Sequence, residues 1–198
     1  VVSGAASGAG SVGDPSTGKL IWSGRDDDNG IELELTIKMT GADAQNLVHT
    51  MNITSTGGDL ADVQFAWVFD PDSNFYRSGR TIDSVFHIFN DADLSQVAVL
   101  DAQGELPALL FTTCDDRARA GTVSQGTDQT VTDVGFADEL GDLSNAFPAA
   151  ASVTGNNGMF LHFNVGELGA DEWTTLTWTV GFIGDAVAKS SSAFVLSM

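Results

Sequence analysis

The sequence predicts an all-β protein, an antiparallel β-sandwich of jelly-roll-like form with about ten strands and little helix. Three observations predict it. Apolar and polar residues alternate with a period of two through most of the chain. The alternating stretches are short and separated by Gly, Asp, Asn and Ser. No stretch sustains the apolar stripe of an amphipathic helix beyond a turn or two. At 198 residues the chain is long enough for one full core, and a single domain is the expectation. It has no internal repeat of fixed period.

Residues 1–18, VVSGAASGAGSVGDPSTG, stand apart from the sandwich domain expected over residues 19–198. A Gly/Ser/Ala-rich segment reads as a linker unless something ties it down. Two kinds of tie fit: a partner's sheet, or an edge strand within the same chain. The run from Val1 to Gly13 also resembles what signal-peptide cleavage leaves behind, and trimming would give the same start.

The first strong strand is Ile31 to Thr40. Ile31, Leu33, Leu35, Ile37 and Met39 alternate with Glu32, Glu34, Thr36, Lys38 and Thr40, one face dry and one wet. Asp28-Asn29-Gly30 precedes it, and Asn and Gly both accept positive φ, so this turn pairs Lys19 to Gly24 with the strand. The alternation returns in Leu47, His49, Met51, Ile53 and in Val63, Phe65, Trp67, Phe69. Further strands are expected over 81–89, 96–100, 108–113, 159–165, 174–182 and 193–196. Short helical pieces are expected near Ala42 to Gln45 and Ala137 to Leu143. Residues 115–158 carry few bulky side chains and read as long loops or an edge excursion.

Eight Lys plus Arg against 27 Asp plus Glu give a net charge of −19. A surface of that sign repels phosphate backbones and anionic lipid, so nucleic acid is not an expected partner. With 42% hydrophobic residues the chain is too apolar to be an acidic disordered tail. No run approaches the roughly 18 apolar residues of a membrane span. The profile suits an exported, extracellular protein in salty or calcium-containing surroundings, where screening or bound cations relieve self-repulsion. Cys114 is the single cysteine and cannot form an internal disulfide.

Calcium takes hard oxygen ligands at alternate loop positions, and Asp70, Asp72 and Asn74 offer them after a strand. This is not an EF-hand: Phe75 stands at the sixth position and Thr81 at the twelfth. An Asx turn capping the strand end explains the same residues. Asp26 with Asp28, and Asp91 with Asp93, are further candidate calcium ligands in turns, where chelation and ordinary solvation look alike.

No catalytic residue is expected. His49, His87 and His162 fall inside strands without the spacing of a zinc site and read as half-buried packing residues. Cys114 lies beside Asp115 and Asp116, surroundings that disfavour a thiolate. Glu32 and Glu34 share a strand face roughly 7 Å apart by the strand rise, as a glycosidase pair would, but two glutamates on the polar face of an amphipathic strand need no such explanation. Among the tryptophans, Trp67 and Trp178 are in phase with apolar neighbours and belong to the core, while Trp22 and Trp173 remain candidates for a sugar-stacking platform.

Three stretches carry a family likeness: residues 60–72, LADVQFAWVFDPD; residues 133–137, DVGFA; and residues 158–168, GMFLHFNVGEL, followed by the Thr-rich 172–178. Together, over residues 60–185, they resemble the bacterial exported β-sandwich domain of choice-of-anchor and related surface-sorted proteins. The resemblance implies an exported, non-enzymatic sandwich and carries over no catalytic residue. The expected function is a subunit of a surface filament or matrix. Copies would self-associate into a homopolymer by strand addition, with calcium as a stabilising ion. Val1 to Val12 is the expected donor strand and Ala193 to Leu196 its alternative. A monomeric module that binds carbohydrate or another surface is the competing expectation.

Overall fold

In a computed structural model of the chain the described residues are 3–11, 14–39, 46–69, 84–101, 108–124, 148–155 and 157–183. They form twelve strands: β1 (Ser3–Ser11), β2 (Asp14–Asp26), β3 (Ile31–Met39), β4 (Asn46–Ser55), β5 (Leu60–Phe69), β6 (Ser84–Asp91), β7 (Leu94–Asp101), β8 (Ala108–Thr113), β9 (Ala118–Ser124), β10 (Ala150–Gly155), β11 (Asn157–Leu168) and β12 (Trp173–Ile183). Nine make one antiparallel sheet in the order β1-β2-β3-β4-β12-β8-β7-β6-β10, and three make a second in the order β5-β11-β9. The architecture is a β-sandwich, as the alternation predicts, with one layer three times as wide as the other.

The expected hairpin forms between β2 and β3, with Asp26 opposite Ile31 and Leu20 opposite Ile37. Gly30 closes its turn at φ 64°, a conformation that costs glycine nothing. Gly30 also packs its Cα against the backbone of Gly57, so the β2–β3 and β4–β5 turns touch without intervening side chains. Thr56 N–H donates to the Gly30 carbonyl there at 2.8 Å.

In two regions the structure decides between the alternatives the sequence leaves open. Within the stretch read as long loops or an edge excursion, residues 118–124 form β9 and residues 150–155 form β10, each at a sheet edge. Ser3–Ser11, with the composition of a linker, forms β1 and pairs antiparallel with β2, Ala6 opposite Trp22. The two expected helical pieces, the expected strand at 193–196 and the loop of Asp70, Asp72 and Asn74 lie outside the described residues.

The core fills the space between the layers. Met159, Leu161 and Phe163 of β11 are fully buried, facing Leu176 and Trp178 of β12 and Val97, Val99 and Phe111 of β7 and β8. Each such side chain contributes roughly 1.5–3 kcal/mol by leaving water. Trp178 is the hub, its ring centroid 5.1 Å from Trp67, 5.6 Å from Phe65, 5.8 Å from Phe163 and 5.2 Å from the stacked ring of His49.

Candidate functional site: the open edges of the sandwich

A sheet edge presents unpaired N–H and C=O groups, and what a chain does with its edges decides whether another strand can join. The two edges of the small sheet are treated differently. At β9, the Asn90 side chain of β6 behaves as a substitute strand: its Oδ1 accepts from Ala120 N–H at 2.7 Å and its Nδ2 donates to the Ala120 carbonyl at 2.9 Å. The same Nδ2 lies 3.0 Å from the Pro148 carbonyl. Ser95 Oγ, fully enclosed, donates to the Ala118 carbonyl at 2.8 Å.

Arg117 completes this seam. Its Nε and Nη2 donate to the two Asp115 oxygens at 2.8 and 2.7 Å, Nη1 to Thr174 Oγ1 at 2.7 Å, and Nη2 to the Thr175 carbonyl at 2.9 Å. Burial alone would raise the Asp115 carboxyl, but the hydrogen bonds and charge of Arg117 overcome it and hold the pKa below the ordinary 3.8. The seam therefore joins the two layers by polar side chains and occupies the β9 edge at Ala118 and Ala120.

Among the described residues no strand borders β5 on its second side. β5 ends the small sheet, paired with β11 from Gln64 opposite Asn164 to Phe69 opposite Met159. Among the described residues no hydrogen bond reaches the β5 backbone on the side away from β11. The pairing is regular only from Gln64 onward, because register shifts at Gly166 and a positive φ of 54° at Asp62 kink the earlier part. The inner side chains of β5, Val63, Phe65 and Trp67, are half-buried, whereas those of β11 and the alanines of β9 are fully enclosed.

The wide sheet runs on past β5 and its inner face becomes progressively wetter. Met51 and Ile53 of β4 are buried; Leu35 is the one buried apolar side chain of β3, where Leu33 and Ile37 are half-exposed. On β2, Trp22 is half-buried and Leu20 is 42% exposed. The result is an apolar shelf of Leu20, Trp22, Leu33 and Ile37 beyond the rim of the small sheet. The wide sheet has two edges of its own, β1 and β10.

The acidic turns hold their carboxylates to local work. Asp26 Oδ1 accepts from the N–H groups of Asp28 and Asn29 at 3.1 and 3.2 Å, and Oδ2 from Asn29 Nδ2 at 2.9 Å. These bonds, the Asn29 side chain foremost, lower the Asp26 pKa. Asp28 is exposed, and Asp27 pairs with Arg25. Asp91 Oδ1 accepts from Ala92 N–H at 2.7 Å, and Asp93 is exposed in the same turn. Among the described residues, no three His, Cys, Asp or Glu side chains come together as a metal site would require.

The histidines expected to pack do so: His87 is half-buried on β6, and His49 and His162 are buried. His49 is 3% exposed between Trp67 and Trp178, its Nδ1 3.2 Å from the Leu47 carbonyl, and burial lowers its pKa. His162 Nε2 lies 3.1 Å from Gln64 Oε1, tying β11 to β5 on the outer face, and burial lowers its pKa too. Glu32 and Glu34 are exposed on the outer face of the wide sheet, opposite Arg25 and Ser23 of β2. Cys114 is exposed beyond β8. Of the candidate sugar-stacking tryptophans, Trp22 packs against the core and Trp173 is 68% exposed at the start of β12.

No protein-family model and no curated protein matches the sequence. Among solved structures, a putative kojibiose phosphorylase from human microbiome is similar at 12% identity and a TM-score of 0.47. The similarity covers 85% of this chain and 18% of that one, so the chain spans under a fifth of the enzyme's length.

Proposed function

We propose that this chain is a structural subunit of an extracellular filament or matrix, joined to further copies by strand addition. One observation carries the reading: Ser3–Ser11, made only of Gly, Ala and Ser, is an edge strand bonded along one side to β2. Glycine, alanine and serine carry little side chain, so such a strand is specified mainly by its backbone groups, which suit any open edge. Among the described residues β5, β9 and β10 also end their sheets, which gives it edges to join in this reading. The charge of −19 on each copy opposes association, so divalent cations, calcium first, favour assembly in this reading.

The test is electron microscopy of the full chain and of a chain lacking residues 1–12, each with calcium and with chelator. Filaments from the full chain and folded monomers from the shortened one support the proposal. Unchanged filaments after the deletion would exclude the donor strand, and monomers throughout would exclude the function. Trp173 favours a second reading, a module that binds carbohydrate through one aromatic face. Glycan retention by a monomeric protein, lost on Trp173→Ala, would establish that reading instead.

A further inference from the structure

We infer that Asn52 is an acceptor for an N-linked glycan and that the first sugar of that glycan lies against the exposed indole of Trp173. The inference rests on the extracellular placement proposed above and adds a modification that assembly itself does not require.

Asn52-Ile53-Thr54 is the one place in the chain where an Asn is followed two residues on by Ser or Thr. With a middle residue other than Pro, this is the acceptor pattern for N-glycosylation. The phase of β4 makes the pattern accessible: Met51, Ile53 and Ser55 are buried, so Asn52 and Thr54 point together to the outer face of the wide sheet, both half-exposed. The hydrogen bonds divide the Asn52 amide as the modification requires. Its Oδ1 accepts from Thr175 Oγ1 at 2.8 Å, and among the described residues nothing accepts from its Nδ2. Thr54 Oγ1, the hydroxyl that completes the pattern, makes no hydrogen bond among them either. In the transfer, Nδ2 bonds to the anomeric carbon of a sugar carried on a lipid diphosphate, and that carbon's bond to the diphosphate oxygen breaks. The diphosphate leaves with the electron pair, and one Nδ2 proton passes to a base of the transferring enzyme. Oδ1 and its bond to Thr175 stay in place throughout.

The surroundings fit a sugar. Thr175 stands opposite Asn52 and Trp173 opposite Thr54. Trp173 is therefore the diagonal neighbour of Asn52, roughly 7–8 Å away and within reach of an aromatic side chain. It is 68% exposed and makes no ring contact among the described residues. A bare indole offers a flat apolar face to the C–H face of a pyranose, and the sugar hydroxyls are left to turn outward or sideways. On the other side of β4, Glu34 and Glu32 stand opposite Asn52 and Thr54. Both are exposed and hold no ion pair among the described residues, so their carboxylates accept from sugar hydroxyls without giving up a partner. In a chain of net charge −19, neither β4 nor β12 contains Asp, Glu, Lys or Arg. A bulky neutral group therefore settles over these two strands without covering an ion.

The test uses the full chain made in the cells that naturally produce it and recovered from outside them. Mass spectrometry with peptide fragmentation should place a sugar on Asn52. Asn52→Gln and Thr54→Val should abolish the added mass, and Thr54→Ser, which keeps the hydroxyl, should retain it. Thr54→Val keeps the branched shape of the side chain, so its folded, sugar-free product isolates the hydroxyl as the cause. Tryptophan emission reads the seat of the sugar: it should be red-shifted and more readily quenched by acrylamide in Asn52→Gln than in the glycosylated chain. In a Trp173→Phe background that difference should vanish while the added mass remains. An exported chain with Asn52 unmodified would overturn the inference and leave the extracellular reading intact, whereas a chain retained in the cytoplasm would overturn both. A glycosylated Asn52 whose loss leaves the emission unchanged would overturn the place of the sugar on Trp173.

Discussion

Arg117 lies across the two layers and donates from Nη1 to Thr174 Oγ1 at 2.7 Å, while its Nε and Nη2 grip both oxygens of Asp115. A planar fork is needed to serve a carboxylate, a hydroxyl and the Thr175 carbonyl together, and an ammonium has no such geometry. Arg117→Lys should therefore destabilise the fold by about 1–3 kcal/mol, read as a lower urea midpoint. Asp115→Asn should show a similar loss. The Asp115 pKa is below 3.8 in the fold, so the ion pair contributes fully above the unfolded value and is lost as pH falls through the folded one. The difference between wild type and Asp115→Asn should shrink below about pH 4.

A second pH dependence has the opposite chemistry. His49 is held neutral by burial, with a folded pKa below 6.5. The unfolded chain takes up the proton first, so stability is complete above pH 6.5 and declines as pH falls from there towards the folded pKa. His49→Phe, which keeps a ring between Trp67 and Trp178, should flatten the dependence of the urea midpoint between about pH 7.5 and pH 5. His162→Gln should flatten the remainder, since burial lowers that pKa as well.

Gly121 lies beneath the buried ring of Phe160, and a Cβ built there would stand 2.6 Å from Phe160 Cζ. The ring is 2% exposed and has little room to retreat. Gly121→Ala should cost about 1–3 kcal/mol through overpacking and lower the thermal midpoint. The double variant Gly121→Ala with Phe160→Leu should recover part of the loss if the clash is the cause.

Screening is the fourth expectation. With −19 on 198 residues, raising sodium chloride from low to near-molar concentration should raise the thermal midpoint steadily. Millimolar calcium should raise it further than sodium chloride at equal ionic strength. Equal effects would assign the whole response to screening and remove calcium from the account.

Strands whose apolar residues are large were legible from period alone. Leu35, Met51, Ile53, Phe86, Val97, Phe111, Leu161 and Trp178 all point inward where alternation places them. The strand β9 escaped because its inward residues are Ala118 and Ala120, too small to register as an apolar stripe, with Arg119 between them. β10 has the same defect in Ala151 and Val153, and β1 has only glycine, alanine and serine.

The candidate site was hidden for a different reason. Whether an edge is occupied depends on which strand borders which, and the reach of Asn90 to the β9 edge leaves no local pattern. Asn90 stands in Asn90-Asp91-Ala92-Asp93, whose composition draws attention to its carboxylates, yet the amide facing Ala120 is the member that reaches across the sandwich. Asp26 was likewise visible as a carboxylate in a turn, but only geometry shows both its oxygens engaged by that turn.

The place of β12 between β4 and β8 sets the order in which this protein is completed. β1 to β4 form a run of sequential neighbours and β6 to β8 another, so each half of the wide sheet can organise as it emerges from synthesis. The strand that welds them is the last of the twelve, and the Thr175 to Asn52 bond across the weld joins positions 123 residues apart. Contacts of such separation form late and slowly. Until the chain through residue 183 is available, the two halves lack the strand that joins them, and unpaired sheet edges of that kind are prone to associate wrongly.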